Sequence, residues 1–104
     1  MDELNTETIE EIQSETHDDI SEPPMYRVLL HNDDYTTMQF VVELLIVVFN
    51  KPMEEAVQIM LHVHNSGIGV CGIYPCEVAE TKVETVHELA QERGFPLKCT
   101  MEKE

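Results

Sequence analysis

The sequence predicts an α+β fold: a two-layer β-α-α-β-α-β domain over residues 23–104, three helices packed on a small three-stranded sheet, preceded by a disordered acidic N-terminal extension over residues 1–22. Three patterns carry that expectation. Apolar and polar residues alternate in short runs, apolar residues recur at helical spacing in longer ones, and Pro or Gly stands at most junctions between them. At 104 residues the chain has room for one core.

Residues 1–22 hold nine acids and no Lys or Arg, so they carry −9 of the formal charge of −15. Their few apolar residues, Leu4, Ile9, Ile12 and Ile20, offer too little surface to offset the entropy of ordering. Pro23-Pro24 stiffens the approach to a first strand, Met25 to His31, where Tyr26, Val28 and Leu30 alternate with Arg27, Leu29 and His31. From Met38 to Phe49, Met38, Val41, Val42, Leu45, Val48 and Phe49 share one helical face. Phe40, Leu44 and Val47 form a second face, which predicts a helix covered on more than one side. Thr36 followed by Gln39 fits a capping box at its start.

Asn50-Lys51 breaks that helix, and Pro52 suits the first position of the next. There Met53, Ala56, Val57, Met60, Leu61 and His64 keep helical spacing until Asn65-Ser66-Gly67 supplies a stop. Gly69 and Gly72 punctuate a β-branched run, Ile68 to Tyr74, predicting a second strand with a bulge or a close backbone approach. Pro75 opens a third helix with an apolar stripe of Ala79, Val83, Val86 and Ala90 and an exposed acidic side of Glu80, Glu84, Glu88 and Glu92, ended by Gly94. Leu97, Cys99 and Met101 alternate with Lys98 and Thr100 in a short third strand.

Composition narrows the function classes. Residues 23–104 keep a charge of −6, and phosphates and anionic lipid need Lys and Arg, so neither nucleic acid nor a membrane surface is expected as partner. No basic-then-apolar signal opens the chain and Leu44 to Phe49 is too short to span a bilayer, which predicts a cytoplasmic location. Cys71, Cys76 and Cys99 are odd in number and unpaired in spacing, as expected of buried structural thiols. His62 and His64 are two apart, pointing about 200° from each other on a helix, so they do not serve one ion. No metal, no cofactor and no catalysis are expected; there is no phosphate cradle and no nucleophile elbow, although Asp33, Asp34, His64 and Cys71 supply reactive groups.

The chemistry concentrates in His31-Asn32-Asp33-Asp34-Tyr35-Thr36-Thr37-Met38, between the first strand and the first helix. Two consecutive acids beside apolar sequence suit a cationic ligand. Carboxylates attract an ammonium group, and an amide oxygen or neutral imidazole accepts one of its protons, so Asn32, Asp34 and His64 can together satisfy three N–H donors. Met38, Val41, Met60 and Val63 either form an apolar hole beside that receptor or are ordinary core, and spacing alone favours core.

The runs Tyr26 to Thr36, Met60-Leu61-His62-Val63-His64, Cys71-Gly72, Glu77 to Val83 and Pro96 to Thr100, in this order, resemble the bacterial ClpS adaptors. That resemblance implies a non-catalytic adaptor. It would recognise N-degron substrates, proteins with a free N-terminal Leu, Phe, Tyr or Trp, and deliver them to the ClpAP unfoldase-protease. It further implies that Asn32, Asp33, Asp34 and His64 hold the α-amino group. Leu30, Thr36, Met38, Val41, Met60, Val63 and Leu97 would line the side-chain pocket, Met38 screening out β-branched residues. Glu77 and Lys82 would contact the N-terminal domain of the ClpA ATPase, and residues 1–22 would engage the unfoldase. Two positions depart from the family pattern: His31 stands where an apolar residue is common, and Thr37 where Pro is common. The alternative is a non-catalytic interaction domain resembling the C-terminal domain of the ribosomal stalk protein, which predicts no role for Asn32 or His64.

Overall fold

The computed structural model describes residues 23–104; the expected acidic extension lies outside the described residues. The elements are β1 (Met25–His31), α1 (Met38–Val47), α2 (Met53–Ser66), β2 (Ile68–Pro75), α3 (Cys76–Arg93) and β3 (Lys98–Lys103). The fold is α+β: among the described residues, three helices with a three-stranded antiparallel sheet of order β2-β1-β3. The most buried strand takes the centre. Val28 and Leu30 are fully buried and Leu29 nearly so, and only a central strand can bury both of its faces that completely.

The core joins Val28 and Leu30 to Leu44 and Leu45 of α1, Ala56 and Val63 of α2, and Ala79, Val86 and Ala90 of α3. The stripe read from the sequence of α3 thus faces the sheet, with Val83 partly buried beside it and Glu80, Glu84, Glu88 and Glu92 exposed. Cys99 N–H donates to His87 Nε2 at 3.1 Å, tying β3 to α3.

Three local expectations need correction. The first helix ends at Val47, two residues short of Phe49, because Asn50 turns left-handed at φ 56° and the chain closes with Lys51 N–H donating to Leu45 O at 3.0 Å. Its cap is Thr37, whose Oγ1 accepts from Phe40 N–H at 3.1 Å; Thr36 is already engaged, its hydroxyl donating to Asp33. At φ −73° Thr37 holds the same backbone shape that Pro would impose and adds the capping oxygen. The third strand starts at Lys98 and runs on to Lys103, because its ladder with β1 continues to the pair Tyr26 and Lys103.

The expected irregularity in β2 is present. Val28 faces Gly72 while Leu29 faces Val70, so Cys71 is an extra residue in the register. Cys71 and Cys99 are buried, and burial pushes both thiols up, Cys99 to about 12. Cys76 departs from the expectation of a buried thiol. It opens α3 partly exposed and donates to Glu80 Oε1 at 3.3 Å, and that contact raises its pKa. No helix among the described residues is long and apolar enough to cross a membrane.

Candidate functional site

The loop between β1 and α1 is shaped by Asp33. Its Oδ1 accepts from Tyr35 N–H at 2.8 Å and Thr36 N–H at 2.7 Å, and its Oδ2 accepts from the Thr36 hydroxyl at 2.7 Å. Asn32 N–H donates to Gly67 O at 2.8 Å, which pins this loop against the C-terminal end of α2. Gly67 can take part because it ends α2 at φ 90°, a left-handed shape that glycine adopts without strain. This bond continues the β1–β2 ladder past the pair His31 and Ile68 and brings Asn32 to the end of α2 that carries His64, thirty-two positions away in the chain.

These contacts enclose a cleft of about 230 Å³ lined by Asn32, Asp33, Asp34, Thr36, Met38, Val41, Met60, Val63 and His64. Among the described residues, the side chains of Asn32, Asp34 and His64 make no hydrogen bond or ion pair, in contrast to the triply bonded Asp33. The polar end thus offers an amide oxygen, a carboxylate and an imidazole, all free to accept. The other end is apolar: Val41 and Val63 are buried, Met60 half-buried, and Met38 is 45% exposed at the mouth. Such a site can take a small cation with an apolar body.

Two residues expected in this lining lie elsewhere. Leu30 and Leu97 are 0% and 5% exposed and belong to the core, because both side chains face the sheet-helix interior. His31 also points away from the cleft; its Nε2 is 2.8 Å from Thr100 Oγ1 across the sheet. It therefore leaves the depth of the cleft unchanged.

The family model described as the ATP-dependent Clp protease adaptor protein ClpS matches residues 21–100. The chain belongs to the ClpS family. It is 70% identical over 82 residues to the ClpS adapter protein of Desulforapulum autotrophicum, covering 79% of each chain. It is 58% identical over 98 residues to that of Desulfatibacillum aliphaticivorans, covering 94% of each. Among solved structures, Agrobacterium tumefaciens ClpS2 bound to L-phenylalaninamide superposes with a TM-score of 0.77 at 37% identity, over 80% of this chain and all of that one. Members of the ClpS family are adaptors of an ATP-dependent protease.

A second opening of about 560 Å³ lies between the end of α1 and α3, lined by Val47, Val48, Glu77, Val78, Thr81, Lys82, Thr85 and Leu89. Glu77 and Lys82, singled out by resemblance to the ClpS family, both border it. The exposed Val47 and Val78 beside them were missed in the sequence, where Val47 reads as part of a covered face; it is 71% exposed. The i, i+4 series Glu77, Thr81 and Thr85, with Val78 and Leu89 flanking it, is the signal that marks this side of α3.

Lys82 is also a structural residue. Its Nζ donates to Val48 O at 2.6 Å, satisfying a carbonyl at the C-terminal end of α1, and lies 5.5 Å from the centroid of the Tyr74 ring. Replacing it by Met keeps the aliphatic stem and deletes that bond, so Lys82→Met is expected to lose roughly 1–2 kcal/mol of stability. Urea unfolding monitored by circular dichroism checks this. An unchanged midpoint would show that the contact carries no weight.

Proposed function

We propose that this chain is an N-degron adaptor: it binds proteins with a free N-terminal Leu, Phe, Tyr or Trp and delivers them to the ClpAP unfoldase-protease in the cytoplasm, without chemistry of its own. The observation that carries this reading is the cleft with Asn32, Asp34 and His64, unpartnered among the described residues, at one end and Met38, Val41, Met60 and Val63 at the other. L-Phenylalaninamide, the ligand of the Agrobacterium relative, has the matching chemistry. It carries a free α-amine and a benzyl group, and its carboxamide stands in for a first peptide bond.

In this role Asn32, Asp34 and His64 accept the three N–H donors of the α-ammonium group, and Asp33 holds the loop that aims them. An α-amine has a reference pKa of about 7.7 to 8.0, so near neutral pH the ligand is mostly cationic. Thr36 and the four apolar residues receive the side chain, while Leu30 and Leu97 support them from the core. Met38 at the mouth disfavours branching at Cβ. Burying a Leu or Phe side chain contributes about 1.5–3 kcal/mol and each charge-assisted hydrogen bond about as much, against the cost of immobilising the peptide. Micromolar binding, about −8 kcal/mol, is within reach of that sum.

Glu77 and Lys82, with the exposed apolar groove around them, form the contact for the N-terminal domain of the ClpA ATPase, and residues 1–22 engage the unfoldase during delivery. The test is fluorescence anisotropy with labelled peptides differing only in their first residue. Peptides beginning with Leu or Phe are expected to bind at least tenfold more tightly than matched ones beginning with Val or Met. Equal affinity for all four, or none, would move the function to an interaction domain that does not read N-termini.

A further inference from the structure

Gly69 is buried on the helix-facing side of β2, opposite Leu30 of β1. A Cβ built on it would lie 2.7 Å from Val63 Cγ2 and 3.3 Å from Cδ2 of the His62 ring. Carbon atoms in contact sit about 3.5–4.0 Å apart, so a side chain at position 69 and Val63 in its present place exclude each other. The absent side chain leaves a notch in the sheet, and the Val63 methyl group fills it.

Val63 is 3% exposed and lines the cleft together with Met60 and His64 of the same helix. Its branched side chain is held to one rotamer in a helix, so the methyl group cannot swing aside at little cost. It belongs to the packed core, and the cleft is open volume that it borders. Displacing the methyl group from the notch therefore moves it into the space a ligand side chain would use.

We infer that Gly69 is a specificity-determining residue: by letting Val63 recede into the sheet, it gives the cleft the depth an aromatic N-terminal side chain needs. This rests on the reading of the cleft as a receptor for N-terminal residues and adds what sets its size. Gly69 does not touch the ligand; it acts through Val63. One added methylene in an apolar pocket changes discrimination by roughly tenfold or more, and the larger ring suffers before the smaller isobutyl group does.

The experiment compares peptides with free N-terminal Phe and Leu on the full chain and on Gly69→Ala, Val63→Ala and the double variant. Gly69→Ala is expected to lower the Phe-to-Leu affinity ratio about tenfold when Val63 is present and to leave it within twofold when Val63 is Ala. An unchanged ratio, or the same fall in both backgrounds, overturns the inference. If Gly69→Ala alone does not fold, recovery of folding and of Phe binding in the double variant supports the same steric coupling, and an unfolded double variant overturns it. Failure of the unaltered chain to bind either peptide is a separate result, and defeats the receptor reading itself.

Discussion

Acetylating the N-terminus of a peptide that begins with Phe is expected to weaken its binding at least a hundredfold. The free amine brings three N–H donors and a positive charge to Asn32, Asp34 and His64, whose acceptors have no other partner among the described residues. The acetamide brings one N–H, no charge and a bulky methyl group. Two charge-assisted hydrogen bonds are lost at about 1.5–3 kcal/mol each, and a carboxylate is left facing a neutral group. Two bonds at the smaller figure, about 3 kcal/mol together, correspond to at least a hundredfold. Competition of the two peptides against a labelled tracer measures it, and Asp34→Asn separates charge from shape. That substitution keeps the size of the side chain and is expected to cost the free peptide roughly tenfold while leaving the acetylated one unchanged. Equal affinity of the two peptides would show a merely apolar cleft that does not read the amine.

The order of the elements was legible because every helix here is marked twice. The α3 stripe of Ala79, Val86 and Ala90 is bounded by Pro75 and Gly94, and periodicity and punctuation agree. Where one local signal competes with another, the sequence misleads. Thr36 and Thr37 are both plausible caps by type, and the choice falls to Thr37 only because Asp33 has already taken the Thr36 hydroxyl. The same holds at the pocket. Leu30 and Met38 are both apolar in the chain, yet one is fully buried and the other is 45% exposed, a distinction set by their places in the fold. The polar end was legible as a group of residue types. Its assembly was not, because it depends on a hydrogen bond from Asn32 N–H to Gly67 O that no spacing rule foretells. Gly69 illustrates the limit most plainly: the sequence marks a place of close approach, but that Val63 of α2 is what approaches is known only from the fold.

Asp33→Asn is expected to cost roughly 1 kcal/mol of stability at neutral pH, solvent screening the exposed side of the carboxylate, and to weaken binding of a free Phe peptide roughly tenfold, with both penalties depending on pH. The carboxyl of Asp33 is held below the usual carboxylate range. Partial burial pushes it up, but the Thr36 hydroxyl, the Thr36 amide and the Tyr35 amide donate to the charged form and together outweigh burial. A group whose pKa is lower in the folded chain contributes stability that is complete above its unfolded value, about 3.9, and is lost as pH falls through the folded value. The parent should therefore lose this contribution only below about pH 4, and the asparagine variant, having no charge to lose there, should not. Unfolding free energies of the two proteins, measured by urea titration from pH 7 down to about pH 2, should converge at the acid end. The effect on binding follows from the same geometry: a turn that no longer closes on Thr36 lets Asn32 and Asp34 drift from His64, so the variant loses affinity without losing a ligand contact of its own. Stability curves that stay parallel to the acid limit would mean that the shape of the turn, rather than the charge of Asp33, holds the loop in place.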